Sequence, residues 1–252
     1  MRNLCTFCGK VVEKSELKED EEGKKVALVR LSLPITINGK ESEEFIEFTA
    51  RNKMAENIVQ IVNKDDVLAV RGNLITNSVD IMGTNINKLE VVPSQISFLD
   101  KEKVTDELYQ SQAILIGRLV KTPELTTTES GKSVTNITLA VTRDEKNEEG
   151  VYETDFINVS AWNGSAKTVS EYCRKGDLIA IIGSFYSKKN EYKDVEYDTL
   201  NISANKISFL STKRYDEEPE KEEKTTKNKK TKDKKESEIE VAWCLIKIKH
   251  TN

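Results

Sequence analysis

Along DFINVSAW, residues 155–162, side chains of two kinds alternate one for one. On a strand this places Ile157, Val159 and Ala161 on one face and Phe156, Asn158, Ser160 and Trp162 on the other. The small aliphatic set reads as buried, which leaves two large rings on an otherwise polar, outward face. The same period recurs at Val29, Leu31 and Leu33 and at Ile137, Leu139 and Val141, predicting further half-buried strands. In SAKTVSEYCRKG, residues 165–176, the spacing becomes helical. Ser165 is placed to cap the start, Ala166, Val169 and Cys173 or Tyr172 recur on one face, and Gly176 stops it.

The pattern occurs twice. FCGKVVEKSEL at 7–17 aligns with LIGRLVKTPEL at 115–125 at an offset of 108, pairing Gly9 with Gly117 and Lys10 with Arg118. From EFIEFTAR at 44–51, which falls on 155–162, the offset is 111, and it still holds where ISFL at 96–99 meets ISFL at 207–210. The second copy has gained three residues between its second and third strands, expected in a loop around Lys146 to Tyr152. A counterpart helix is expected from about Lys53 to Asn63. Each copy thus reads as two strands, a third strand, a short helix, a fourth strand and a final strand. That is the layout of the five-stranded Greek-key barrel called the OB-fold. The expected fold class is all-β, with one short helix per domain: a first barrel at 1–100, a linker at 101–112 and a second barrel at 113–212. Residues 213–252 carry too few apolar side chains before their last stretch to fold and read as a disordered charged tail.

Charge alone names no partner. The net charge is −4, distributed as −3 over 1–100, −1 over 101–110, −2 over 111–210 and +2 beyond, so neither barrel is basic overall. With 6% aromatic residues, each ring is scarce enough to locate individually. No run of 18 or more apolar residues occurs and the first ten lack an apolar signal region, which gives a cytoplasmic expectation without a membrane partner. Four Cys make no disulfide framework. Cys5 and Cys8 form a C-x-x-C, but on a strand they face opposite ways, and the single His, His250, lies three residues from the end. No nucleophile–base pair, metal cluster or phosphate-binding glycine loop is legible, so neither an enzyme nor a cofactor is expected.

ILIGRLVKTPELTTTESGKSVTNITLAVTRD, followed by ETDFINVSAWNGSAKTVSEYCRKGDLIAIIGSF, resembles the bacterial single-stranded DNA-binding protein family over 114–210. The first copy is a weaker version of the same pattern. The resemblance implies largely sequence-independent coating of single-stranded DNA in replication, recombination and repair, near the nucleoid. It implies a homodimer that brings four OB-folds together. The family's strand-three stacking rings fall on Phe156 and Trp162. Single strands are held by rings that stack on bases and cations that track phosphates, so an outward ring on strand three belongs to such a platform. The parity that buries Ile179, Ile181 and Phe185 turns Tyr186, Lys188 and Tyr192 outward beside them. Lys189, Arg118 and Arg143 are further candidate phosphate contacts. In the first barrel Phe45 repeats Phe156, whereas Glu47 and Arg51 stand for Asn158 and Trp162, and Lys10, Arg30, Lys53 and Arg71 are its candidate cations.

Three departures matter. Glu145 and Asn190 occupy positions where the family carries rings, with Tyr192 a possible substitute for the second. The family's acidic tip ending in Pro-Phe, used to recruit replication and repair proteins, is replaced by VAWCLIKIKHTN, in which Trp243 reads as a docking residue. The first barrel could rely on charge more than stacking, or serve chiefly in assembly. A structural OB-fold protein with vestigial DNA binding is therefore the competing reading, with an RNA-binding barrel pair as a third.

Overall fold

The computed structural model describes residues 2–211 apart from 21, 22, 38, 39, 82, 106, 107, 148, 193 and 194. The expected tail, with Trp243 and His250, lies outside the described residues. The first copy contains β1 (Arg2–Lys14), β2 (Lys18–Glu19), β3 (Lys25–Ile37), β4 (Lys40–Arg51), α1 (Asn52–Ile61), β5 (Val67–Ile81) and β6 (Thr84–Leu99). After a 3-10 turn at Lys101–Lys103 the second repeats it with β7 (Ser111–Leu119), β8 (Thr126–Thr127), β9 (Ser133–Lys146), β10 (Tyr152–Trp162), α2 (Asn163–Tyr172), β11 (Leu178–Tyr192) and β12 (Val195–Ser211). In each copy the first long strand pairs with the second and fourth, and a parallel contact between the third and fifth, Phe48 with Val91 or Val159 with Ile202, closes the barrel. These are two tandem OB-folds.

The inward parity holds in both. Ile46, Phe48 and Ala50, like Ile157, Val159 and Ala161, are at most 1% exposed, and Ile179, Ile181 and Phe185 are buried as well. Val29 faces Phe48 as Ile137 faces Val159, so the two sheets share one register. The three extra residues lie where expected: β3 ends at Ile37 and β4 begins at Lys40, while β9 ends at Lys146 and β10 begins at Tyr152. Gly72 and Gly183 mark equivalent bulges in the fourth strands. A Cβ there would lie 2.3 Å from the Val92 carbonyl oxygen and 2.6 Å from that of Ser203, so only glycine lets the fifth strand come so close.

Two expectations need correction. Ser165 does not cap α2, because the helix begins two residues earlier, at Asn163, with Trp162 in the cap position and no side-chain cap bond. Asn163 and its counterpart Asn52 both have φ of 52°, a left-handed conformation that Asn tolerates and that turns the strand end directly into the helix. Cys173, not Tyr172, completes the buried helical face. Secondly, the segment expected as linker ends early: Ser111 and Gln112 already belong to β7, where they pair with Phe7 and Thr6 of β1.

That β1–β7 ladder joins the barrels around a local two-fold. Cys5 faces Ala113, its own counterpart at the offset of 108. Two carboxylates repeat the symmetry. Asp155 Oδ1 accepts from the Thr76 backbone N–H at 2.8 Å, and Glu44 Oε2 accepts from the Ser187 backbone N–H at 2.7 Å and its hydroxyl at 2.8 Å. Glu44 and Asp155 are equivalent at the offset of 111, as are Thr76 and Ser187. Each barrel's third strand thus latches the other barrel's fourth. Phe7 fills the seam between Phe48 and Phe185, with ring centroids 6.3 Å and 6.2 Å away.

Cys5 sits in this core, and burial pushes its thiol up to about 12 against an opposing hydrogen bond from Gly72. Cys8, also raised by burial, lines a groove on the other side of β1 with Leu108 and Gln110. The two sulfurs therefore face apart. Both remain thiols at neutral pH.

Candidate nucleic-acid interface

The outward face of the second barrel is built from β9 and β10, with β11 contributing through Tyr186. Parity on β10 brings up Phe156, 47% exposed, and Trp162, 37% exposed, with Asn158 and Ser160 between them. The intervening polar groups are satisfied locally. The Thr138 hydroxyl donates to Asn158 at 2.7 Å, the Ser160 hydroxyl donates to Asn136 at 3.2 Å, and the Tyr186 hydroxyl lies 3.4 Å from Ser160. Tyr186, half-buried, thereby stands beside the β10 platform.

Arg118 lies in the same cross-strand row as Phe156, since both pair with Ala140 on β9, one from each side. Two strand spacings, about 10 Å, separate them. Its guanidinium donates to the Gly176 carbonyl at 2.9 Å yet stays exposed. Lys188 and Lys189 project from the exposed arm of β11, and neither side chain has a partner among the described residues.

Other candidates are engaged elsewhere. Arg143 is no open phosphate contact: its Nε and Nη2 each donate to Asp155 at 2.8 Å, and it also pairs with Glu153. The Asp155 bonds raise its pKa above the ordinary guanidinium value, with partial burial opposing. Its work is to hold the latch carboxylate. Tyr192 accepts a 3.0 Å hydrogen bond from Thr84 at the end of the other barrel's hairpin, so it does not join the platform.

In the first barrel, Arg51 pairs with Glu90 at 3.0 Å and Asp20 at 3.7 Å. Arg30 lies 4.7 Å from the Phe45 ring centroid and pairs with Glu47. Lys10 pairs with Asp65 at 3.4 Å. Lys53 is exposed at the start of α1, near Glu56. Arg71 lines the groove with Leu108 and Gln110, away from the cavity that Phe45 and Arg30 share. Among its described residues the first barrel therefore gathers neither two open rings nor a row of open cations on one face.

A model of the single-strand binding protein family matches residues 2–99 and, a second time, 110–210. The chain belongs to this family. Among single-strand binding relatives, single-stranded DNA-binding protein B of Bacillus subtilis (strain 168) is 34% identical over 104 residues, 41% of this chain and 92% of its own. Single-stranded DNA-binding protein 1 of Staphylococcus aureus (strain MSSA476) is 38% identical over 109 residues, 42% of this chain and 69% of its own. Each match has the length of one barrel. The crystal structure of the wild-type single-stranded DNA binding protein from Thermus aquaticus superposes with a TM-score of 0.66 at 21% identity, covering 83% of this chain and 93% of that one. At that identity it speaks for the fold, and its coverage takes in both barrels.

Sequence reasoning missed the latch. Its signal was present, because Asp155 has the parity of Ile157, Val159 and Ala161. An acid at an inward position demands a partner, and its 1% exposure shows that it is buried. Asp198, whose pairing across the barrels is described below, left no such signal.

Proposed function

We propose that the chain coats single-stranded DNA with little sequence preference, as a non-enzymatic protein of replication, recombination and repair. Phe156 and Trp162 would stack on bases, with Tyr186 beside them and Arg118, Lys188 and Lys189 contacting phosphates. The observation that carries this is the pair of exposed rings on one polar strand face with an exposed arginine in the same row. Stacking tolerates any base, because every base has a flat π-face. Satisfied side chains between the rings leave few groups that demand a particular sequence.

The test is a salt titration of oligothymidine binding. Neutralising Z phosphates on a single strand gives a log–log slope near −0.7Z, so three cations in contact should give about −2. A slope near zero would contradict phosphate tracking.

The reading extends to assembly. Phe98 and Phe209 are equivalent, lie on the last strand of each barrel and are 49% and 41% exposed, apolar area suited to pairing two chains into four barrels. Sedimentation should then report a dimer of about 57 kDa, twice the 28.5 kDa chain, and Phe98→Asp with Phe209→Asp should yield monomers. A monomeric wild-type chain would contradict the pairing. The cytoplasm and replication or repair proteins as partners belong to the same reading. No described helix is long and apolar enough to cross a membrane.

A further inference from the structure

We infer that the first barrel's stacking platform is occupied by the chain's own Arg30, which closes it to single-stranded DNA until its two flanking carboxylates are neutralised. This rests on the proposed function and adds to it which barrel binds.

The two barrels differ at the cross-strand pair next to the platform ring. On β9 and β10 the pair is Thr138 with Asn158, two short neutral side chains, and the adjacent Phe156 is left 47% exposed. At the equivalent place on β3 and β4 the pair is Arg30 with Glu47, and Phe45 is half-buried. The Arg30 guanidinium carbon lies 4.7 Å from the Phe45 centroid, within cation–π range. Glu47 holds it from its own barrel at 3.6 Å and Asp198 from the second barrel's hairpin, also at 3.6 Å. A flat cation thus lies against the ring that a base would need.

Charge works in the same direction. One arginine between two carboxylates, with Lys88 lining the same cavity, leaves no net positive charge to draw an incoming phosphate to the obstructed ring. Arg51, at the position equivalent to Trp162, cannot supply it, since it is shared between Glu90 and Asp20. The seal depends on both barrels, because Asp198 belongs to β12. A cavity of about 210 Å³ lined by Phe45, Arg30, Glu47, Leu89, Leu200 and Asp198 adjoins the ring. Once released, Arg30 can swing away without repacking the core.

The test compares the full wild-type chain, the double variant Glu47→Asn/Asp198→Asn, and that variant with Phe45→Ala added, all titrated with oligothymidine. Glu47→Asn installs the residue that the second barrel carries at the same place, and both positions are partly exposed, so the variants should melt as cooperatively as the wild type. The double variant should bind at least about fivefold tighter, the effect of one added stacked base. Its salt slope should steepen by about 0.7, one added phosphate contact. Adding Phe45→Ala should abolish the gain. Unchanged affinity in the double variant, or a gain that persists without Phe45, would overturn the inference, the second outcome assigning the gain to charge alone. Absence of oligothymidine binding by the wild-type chain is a separate result, which would overturn the functional reading itself.

Discussion

Phe156→Ala is expected to weaken oligothymidine binding by about 1–3 kcal/mol, or roughly 5- to 150-fold, and Trp162→Ala by a comparable amount. Both rings project from β10 with the outward parity, and their exposures of 47% and 37% mean that truncation removes little core packing. Cooperative unfolding should therefore survive in both variants, separating loss of binding from loss of fold. The strand beneath them keeps its inward row of Ile157, Val159 and Ala161, which holds the backbone in place. Fluorescence or anisotropy titration at fixed salt reads the affinity. Unchanged affinity together with loss of the oligomer would contradict the platform and assign the ring to a subunit interface.

Asp155→Ala is expected to destabilise the protein by about 2–3 kcal/mol, because it removes a buried acceptor and strands both its partners. The Thr76 N–H loses its 2.8 Å bond across the barrels, and Arg143 loses two of its hydrogen bonds. The arginine is about a third exposed and keeps Glu153, which holds the cost below that of a fully buried ion pair. In a chain of this size the loss corresponds to a fall in melting temperature of about 5–10 °C. Glu44→Ala should cost less, about 1 kcal/mol. It is only half-buried and lacks an arginine, since Ile35 stands at the position equivalent to Arg143. Thermal or urea unfolding measures both. Equal costs for the two acids, or less than about 1 kcal/mol for Asp155→Ala, would contradict the latch. The Phe156 N–H also donates to the Thr76 hydroxyl at 3.3 Å, so the latch and the platform share a stretch of backbone.

Much of the fold was legible because period and repeat are local, redundant signals. The alternation at 155–162 and its copy at 44–51 placed the inward rows correctly in both barrels. The change of offset from 108 to 111 located the longer connection between β9 and β10. What the sequence hid depends on distant pairings. Arg30, Arg51 and Arg143 all read as open cations, yet each is held by acids, and for Arg30 one acid comes from the other barrel. Tyr192 read as a possible replacement ring and is tied instead to Thr84, 108 positions away. The start of α2 was misread because Asn163 turns the chain through a left-handed conformation, which made the more familiar cap at Ser165 unnecessary. Phe156 and Trp162, whose environment is set mostly by their own strand, stand exposed where parity put them.

The most direct measurement of where the strand lies is photocrosslinking of the wild-type chain to oligothymidine carrying 5-iodouracil, with the attachment sites mapped by mass spectrometry. Crosslinks at Phe156, Trp162 and Tyr186 in the second barrel, with Phe45 spared, are the predicted result. Crosslinks concentrated at Phe45 and the rest of the first barrel's face, or none on β10, would contradict it.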